Sequence, residues 1–443
     1  MKRFAQHQTD STTIEGRTHL LSCDQGKELL QLSAKELWSA DLFFICEAQA
    51  RTYQRRVPTT FGISKCMKCS RKAMLTVGSI SLCLSSIQAS FINVFLPQGY
   101  PYSVSEDYLR YQLWDTMQAF ASSMTAALAT EAVLKGAGVG NQSASALAAS
   151  LTWIAKDGLG MIGRITFSFF KGSELDYDCK KWRLVADIMN DVAFFVDLLS
   201  PALPGLFFVC ACTSSLLRCV VGVAGAATRT AIVQHQARRN NLADVSSKDG
   251  SQETMVNMTA LLASLIMLPL VSGKHTLIWS LFVIFTGVHL YANYRAVRSL
   301  NIETLNLKRA TILIRSWLAS DRVLSVQECN NAEPLFYSFG VRHLGCSLYN
   351  LLSYKQRVPS ALLRVCDNYT LLYDTHRNIG WVALSESAPD ICVLNAVFDI
   401  EVLSSQDVDS EKKFGTFLAQ LKSKGWRVEG ANLGSDEWNY STK

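Results

Sequence analysis

Residues 255–272 (MVNMTALLASLIMLPLVS) and 276–291 (TLIWSLFVIFTGVHLY) contain no Asp, Glu, Lys or Arg, and only Gly273, Lys274 and His275 separate them. So short a link leaves room for little but an antiparallel helical hairpin, because backbone groups in apolar surroundings must be satisfied within their own segment. Each run is near the lower limit of about 17 residues for a helix that crosses a bilayer. Pro269 falls close to the turn, where a missing N–H is tolerated. Arg238, Arg239 and Lys248 precede the pair, and Arg295, Arg298, Lys308 and Arg309 follow it. The positive-inside rule places both outer ends on the cytosolic side or its organellar equivalent.

Other stretches extend this pattern. Residues 204–217 (PGLFFVCACTSSLL) are uncharged and continue past Arg218 into VVGVAGAATRTAIV. Residues 73–105 are free of charge, and residues 51–72 before them hold seven basic side chains and no acidic one. That asymmetry suits a membrane-bound segment, spanning or interfacial. Residues 116–140 are mostly Ala, Ser, Met, Thr and Gly, ending in GAGVG, a composition that lets helix backbones approach closely. Charged residues make up 18% of the chain against 49% hydrophobic, where soluble proteins carry roughly 25% charged. The competing reading is a large soluble helical protein whose buried helices imitate spans.

The net charge of +6 is uneven. From Asn301 onward 15 Lys and Arg meet 16 Asp and Glu, so the basic excess lies with the apolar part. This suits an anionic membrane surface, whereas nucleic-acid binding would need a denser basic stripe interleaved with aromatics. The 13 cysteines follow no repeating framework, and Cys83, Cys210, Cys212 and Cys219 fall inside apolar runs, which points to free thiols in a reducing compartment. Cys66 and Cys69 form a lone CMKC that lacks the second ligand pair of a structural zinc site; juxtamembrane thiols fit it better. The first 40 residues have no apolar core of a secretory signal but leave room for an organelle transit peptide.

The character changes after Asn301. ATILIRSWLAS extends the helical region, YTLLYD and GWVALSE flank residues 375–379 as a β-hairpin, Pro389 opens one helix, and residues 411–424 form another that stops at Gly425. The expected fold is mainly α: a basic N-terminal region (1–72), a helical membrane-associated bundle (73–315) and a small soluble α+β C-terminal module (316–443).

Residues 158–163 match G-x-G-x-x-G, but Lys156 and Asp157 stand where a dinucleotide site needs a strand, so helix packing around glycines is the favoured reading. In KKWRLVADIMNDVAFFVDLL, Arg183 and Asp187 are four apart, and Asp187, Asn190 and Asp191 share a helical face. Two carboxylates at that spacing can bind a cation or shuttle a proton; ion pairing with Arg164, Arg183 or Arg229 is expected first. Arg218, Gly222, Gly225 and Arg229 line one side of a continuous helix, a shallow track open to another helix, a carboxylate or a phosphate. Pairing of the two arginines with Asp187 or Asp191 is the simpler expectation. No metal-ligand spacing, Ser-His-Asp arrangement or Walker loop appears.

Several motifs are recognisable in order: LPQGYPYSVSEDYLRYQLWD (96–115), WIAKDGLGMIGRI (153–165), KKWRLVADIMND (180–191), ATRTAIVQHQARRNNLADVSSKDGSQET (227–254) and HLYANYRAVRSLNIETLNLKR (289–309). Together they resemble the root UVB sensitive family over roughly residues 96–315. The resemblance implies a membrane protein connected with vitamin B6 homeostasis and development, and it brings no catalytic residue set. The matching positions Lys156, Asp157, Arg164, Arg183, Asp187, Asp191, Arg229, His235, Asp244, Lys248 and Asp249, with Arg218, are the candidate functional face. The polar stretch 233–253 then reads as the membrane-surface link between two helices, with Ser247 or Asp249 starting the second.

The expected function is a non-enzymatic scaffold or small-molecule handler in a multi-pass membrane setting, plastid or another endomembrane. A cofactor- or nucleotide-binding enzyme and a transporter are the alternatives. Membrane lipid, another family member and an unnamed small molecule are the expected partners, and nucleic acid is not.

Overall fold

The computed structural model describes residues 93–138, 146–405, 411–436 and 439–441. The basic stretch 51–72, the CMKC pair, Cys83, the first part of the 73–105 run and Gly140 lie outside them. Six long helices dominate: α1 (Tyr108–Gly136), α2 (Ala146–Lys171), then after the single turn α3 (Glu174–Tyr177) the helix α4 (Cys179–Leu199), followed by α5 (Phe207–Gln236), α6 (Leu242–Val271) and α7 (His275–Ser299).

Side-chain contacts fix their directions. Gln112, Ser123 and Glu131 of α1 meet Asp249, Asn257 and Ser272 at successive levels along α6, and Asp115, Gln118 and Ser122 meet Arg183, Asp187 and Asn190 on α4. Thus α1, α4 and α6 run one way. Trp114 packs on Tyr291 while Leu128 and Ala132 cluster with Ile278 and Phe282, so α7 runs the other way. Asp197 meets Arg218 on α5 while Trp182 and Ala186 cluster with Ala224 further along it, so α5 runs antiparallel to α4, and Gly160 and Gly163 of α2 lie against Ser215 and Cys219 in the same order, so α2 runs with α5.

The hairpin read from the sequence is present, with a difference in where it starts. The α6 helix begins at Leu242, with Asn241 at its N-cap, and not at Ser247 or Asp249. Helix formation needs only satisfied backbone bonds, and polar side chains are tolerated on a face where partners await them. Val245, Asp249, Ala260, Ser264 and Val271 form the buried stripe at helical spacing, so the polar first third of α6 belongs to the same face as its apolar remainder. At the far end the turn closes through Gly273, whose φ of +80° is open to glycine at no steric cost. The amides of Ser272 and Lys274 bond to the carbonyls of Leu268 and Val271.

Between the Gln112–Asp249 contact and the Glu131–Ser272 contact, α1 advances by 19 residues, roughly 28 Å at 1.5 Å per residue. The bundle is therefore about as long as a bilayer core is thick. Large apolar side chains cover its exterior. Leu147, Leu151, Ile154, Ile165, Phe169 and Phe170 project from α2, Phe208 and Val209 from α5, Leu261, Leu265, Ile266 and Leu270 from α6, and Val283 and Ile284 from α7. The helices spanning Pro204–Gln236, Leu242–Val271 and His275–Ser299 are long and apolar enough to cross a membrane, and only 17% of the most apolar stretch of each is buried within the protein.

The C-terminal part is a mixed sheet with helices on both faces. Strands β1 (Val341–Leu344), β2 (Leu362–Val365), β3 (Tyr369–Asp374) and β4 (Ile379–Ser385) are ordered β1-β4-β3-β2, and β5 (Asn439–Tyr440) pairs with β4. The hairpin expected around residues 375–379 is β3–β4, registered Tyr373 to Gly380 and Asp374 to Ile379. Its turn is held by the Asp374 carboxylate, which accepts from the amides of His376 and Arg377. Before the sheet come α8 (Leu307–Ser320) and α9 (Val326–Ala332), and within it α10 (Leu348–Arg357); α11 (Ile391–Ser405) and α12 (Glu411–Ser423) follow. Buried Leu313, Ile314 and Trp317 of α8 share one core with Leu371, Val382, Phe398 and Phe417. On the other sheet face Leu351 of α10 packs on Leu372 and Ala383. The helix ATILIRSWLAS, which continues the helical region in sequence, thus gives its inner face to the sheet.

Candidate functional site

Charged and amide side chains are gathered toward the ends of α1, α4 and α6 where their chains begin, partly exposed at the outermost rung and buried at the innermost. At the outermost rung Arg229 of α5 reaches α6, its Nε donating to Asp249 at 2.5 Å and its Nη1 to Glu253 at 2.5 Å. The second oxygen of Asp249 accepts from Gln112 of α1 at 3.0 Å. One turn along α1, Asp115 accepts from Arg183 of α4 at 2.8 Å and faces the Tyr111 hydroxyl at 3.4 Å.

The innermost rung lies a further turn along α1, at Gln118, about 9 Å from the level of Gln112. Its amide donates to Asp187 at 2.9 Å and approaches His289 Nε2 at 3.0 Å. Asn293, one turn beyond His289, also donates to Asp187. On the other side of the ring, His289 Nδ1 lies 2.8 Å from both oxygens of Asp191. His289 is fully buried, and Gln118, Asp187, Asp191 and Asn293 are nearly so.

This geometry assigns a tautomer. An amide nitrogen only donates, so Gln118 uses one N–H on Asp187 and the other on His289 Nε2, which must then accept. The ring proton sits on Nδ1 and is given to Asp191. A second proton on Nε2 would face the Gln118 N–H groups, with Asp187 3.6 Å away. Protonation therefore requires the Gln118 amide to turn so that its oxygen accepts, which would release one donor from Asp187. The arrangement is a hydrogen-bonded polar chain with a carboxylate at each end, and among the described residues no group of three His, Cys, Asp or Glu is set to hold a metal.

The sequence-derived face divides across the molecule. Arg183, Asp187, Asp191, Arg229 and Asp249 enter the ladder. Arg229 pairs with Asp249, and Arg218 with Asp197, rather than either with Asp187 or Asp191, because those carboxylates point between α1 and α7, away from α5. Arg183, four residues from Asp187, turns to Asp115. His235 belongs to a neighbouring group at the bundle's end, 2.9 Å from Asp107, which also accepts from Ser105 and from the Asn301 amide at 2.6 Å. Burial raises the Asp107 carboxyl, but His235 and these donors outweigh it and hold it at about 2.

Asp244 accepts from the Gln98 amide and Lys248 donates to the Asn93 carbonyl, so both fasten the chain that leads into α1. Lys156 lies 3.5 Å from Asp157 and over the Trp153 ring. Arg164 is exposed on α2 and makes no ion pair among the described residues. The glycine run sits in the middle of α2, where a Cβ on Gly160 would stand 2.8 Å from Ser215 Oγ and one on Gly163 2.7 Å from Cys219 Sγ. These glycines serve the α2–α5 contact. Among the described residues no helix fills the track beside Gly222 and Gly225, where an added Cβ would meet nothing within 4 Å.

Gln112, Asp115, Gln118, Glu253, His289 and Asn293 are members of the ladder that reading the sequence for charge passed over. A signal was present: His289 and Asn293 are four apart on one face of an otherwise apolar segment, and neutral polar groups in such a segment need a buried partner.

Comparison with known proteins agrees with the motifs. Residues 83–321 match the family model described as the vitamin B6 photo-protection and homoeostasis domain. The chain is 43% identical over 375 residues to the protein root UVB sensitive 3 of Arabidopsis thaliana, covering 78% of this chain and 85% of that protein. It is 40% identical over 279 residues to RUS family member 1 of Dictyostelium discoideum, covering 61% of this chain and 53% of that protein. It is also 28% identical over 360 residues to the chloroplastic protein root UVB sensitive 2 of Arabidopsis thaliana, covering 77% of this chain and 82% of that protein. No solved structure matches the chain. With more than half of its length under the family model and a relative at this identity across most of both chains, the protein belongs to the root UVB sensitive family.

Proposed function

We propose that the protein is a multi-pass membrane protein that handles a small molecule in vitamin B6 homoeostasis and is not an enzyme. The observation that carries this reading is the inverted distribution of side chains: apolar residues cover the outside of α2 and α5–α7, while carboxylates, amides and an imidazole occupy the inside. Water would make the first costly and the second unnecessary, whereas hydrocarbon favours both. In this reading the up-and-down order of the helices would leave the start of α1 and the sheet-bearing C-terminal part on one membrane side, the side the basic residues favour. Alkaline extraction of membranes tests the embedding. The protein is expected in the membrane pellet; its release into the soluble fraction would overturn the reading.

Transport is the second reading, and the His289 rung favours it. Two carboxylates meeting one imidazole inside a bundle can exchange a proton or cation as a helix moves. Arg229 stands apart from that rung, so a coupled anion is not part of this version. Proton flux into liposomes containing the protein, lost in His289→Asn, is the expected outcome; equal flux in both would remove transport.

A further inference from the structure

At the end of the bundle opposite the ladder, α1, α2, α4 and α5 enclose a cavity of about 250 Å³. Its charged lining is Lys156, Arg218 and Asp197, its hydroxyls come from Thr130, Ser214 and Ser215, and Trp153, Val133, Leu134 and Ala211 complete the wall. Thr130 lies 18 residues beyond Gln112, or roughly 27 Å along α1, next to the level where Glu131 meets Ser272 of the hairpin turn. In the membrane reading this is the headgroup level of the second surface, where Trp is favoured and a long Lys or Arg side chain can reach the interface.

The cavity has a surplus of positive charge. Asp197 is committed to Arg218, which also donates from Nε to Ser214 at 3.3 Å. Even so the Arg218 side chain is 42% exposed and Lys156 is 29% exposed. Besides the Trp153 ring beneath it, the partner of Lys156 among the described residues is Asp157 at 3.5 Å, a neighbour in sequence that is itself mostly exposed and does not line the cavity. The position is built. Ser215 donates to the Lys156 carbonyl at 2.9 Å, and Gly160 lets α2 close on α5 at the same place, so both cations are held against one space.

We infer that this cavity binds the phosphate of an amphipathic phosphate ester, with Lys156 and Arg218 as its cationic contacts and Trp153 and Leu134 against the apolar part. Guanidinium and ammonium together match a phosphate's oxygens, and the Ser214 hydroxyl, which accepts from Arg218, adds a donor at its edge. The same chemistry is offered by an acidic phospholipid headgroup and by a soluble phosphate monoester. The inference rests on the membrane reading only for the lipid source.

The test uses the full chain in nanodiscs of phosphatidylcholine with and without phosphatidic acid, and a titration with phenyl phosphate. Native mass spectrometry counts retained phosphatidate, and thermal shift follows phenyl phosphate. Lys156→Met is expected to weaken binding about tenfold or more, as loss of one charge-assisted contact implies, and Lys156→Arg to restore it. Leu134→Trp, which fills the space without changing charge, should also block it. Phosphatidate retention that responds to these variants identifies the lipid source, and a phenyl phosphate shift that responds identifies the soluble one. Binding that is absent in the wild type, or that none of the variants alters, overturns the inference. Release on alkaline extraction together with variant-sensitive phenyl phosphate binding would sink the membrane reading and leave the anion site standing.

Discussion

Replacing His289 by leucine tests whether the innermost rung is a partnered network. The imidazole is fully buried, and its loss strands Asp191, whose oxygens have, among the described residues, only the ring at 2.8 Å, while Asp187 keeps Gln118 and Asn293. Stripping a buried carboxylate of its hydrogen-bond donor costs about 3–5 kcal/mol, because it leaves an uncompensated charge with neither water nor partner. Leucine fills most of the ring's volume, so a cavity adds little. His289→Leu should therefore destabilise by about 3–5 kcal/mol, measured by reversible denaturation in detergent. Asp191→Leu should be costly alone for the converse reason, and the double variant should recover about 2 kcal/mol relative to the sum, within the range seen for residues in direct contact. A single-variant cost below about 1 kcal/mol, or additivity of the two, would show that the imidazole and the carboxylate do not depend on each other.

Acid, packing and ion-pair geometry give three further expectations. Glu333 is enclosed by Lys180 at 3.1 Å and Arg309 at 3.3 Å; burial raises its carboxyl, but Arg309 and then Lys180 outweigh this and hold it at about 2, against 4.5 for the unperturbed group. A depressed carboxylate stabilises above its unfolded value and loses that contribution as pH falls from 4.5 to about 2, here about 3 kcal/mol. Burial also pushes Lys180 below the usual lysine range, a cost that stays constant over these acid values. The melting temperature should fall steeply over this interval, and more gently in Glu333→Gln. Gly163→Val should cost about 1–3 kcal/mol through its clash with Cys219 and Leu216, while Gly158→Ala, which meets nothing within 4 Å, should be neutral or stabilising by about 0.5–1 kcal/mol; equal melting temperatures for the two would undo the packing role given to Gly163. Arg238→Lys should weaken the hold on Glu303, where two parallel bonds of 2.8 Å need a planar fork, by about 1 kcal/mol; no change in thermal unfolding would show that the fork contributes nothing to stability.

The two charge-free runs made the α6–α7 hairpin legible, since helices of such length without a charge are at home only in hydrocarbon or in a protein core. The start of α6 was not, because residues 242–254 look like a loop when only hydropathy is weighed. Their helical stripe, Val245 and Asp249 in step with Ala260 and Ser264, becomes visible only once Gln112 and Arg229 are known to receive Asp249. Spacing on one helix exposed Arg183, Asp187 and Asp191 as a polar face, but which partner each takes depends on how neighbouring helices are rotated. Strand β2 (LLRV) was hidden for a different reason: it has no alternation and only four residues, and its place at the sheet edge comes from pairing with β3. By contrast β3 and β4 carry apolar runs on either side of a turn whose Asp374 caps it.

Lys180 ties the ladder to the sheet-bearing part. It lies one turn before Arg183 on α4 and donates to the Leu300 carbonyl and to Asn330 at 2.6 Å, besides pairing with Glu333. Asn330 also holds the Ile302 backbone, and Lys308 grips Asp178 at the head of α4. The segment leaving α7 and the start of α4 are thus fastened to the same few side chains of α8 and α9. His289 and Asp187 stand on those two helices, α7 and α4. Any shift of α7 against α4 that accompanied a turn of Gln118 would have to strain or move this buried cluster. The polar rung inside the bundle and the folded part outside it thus share α4 and α7, the two helices whose ends this buried cluster fixes.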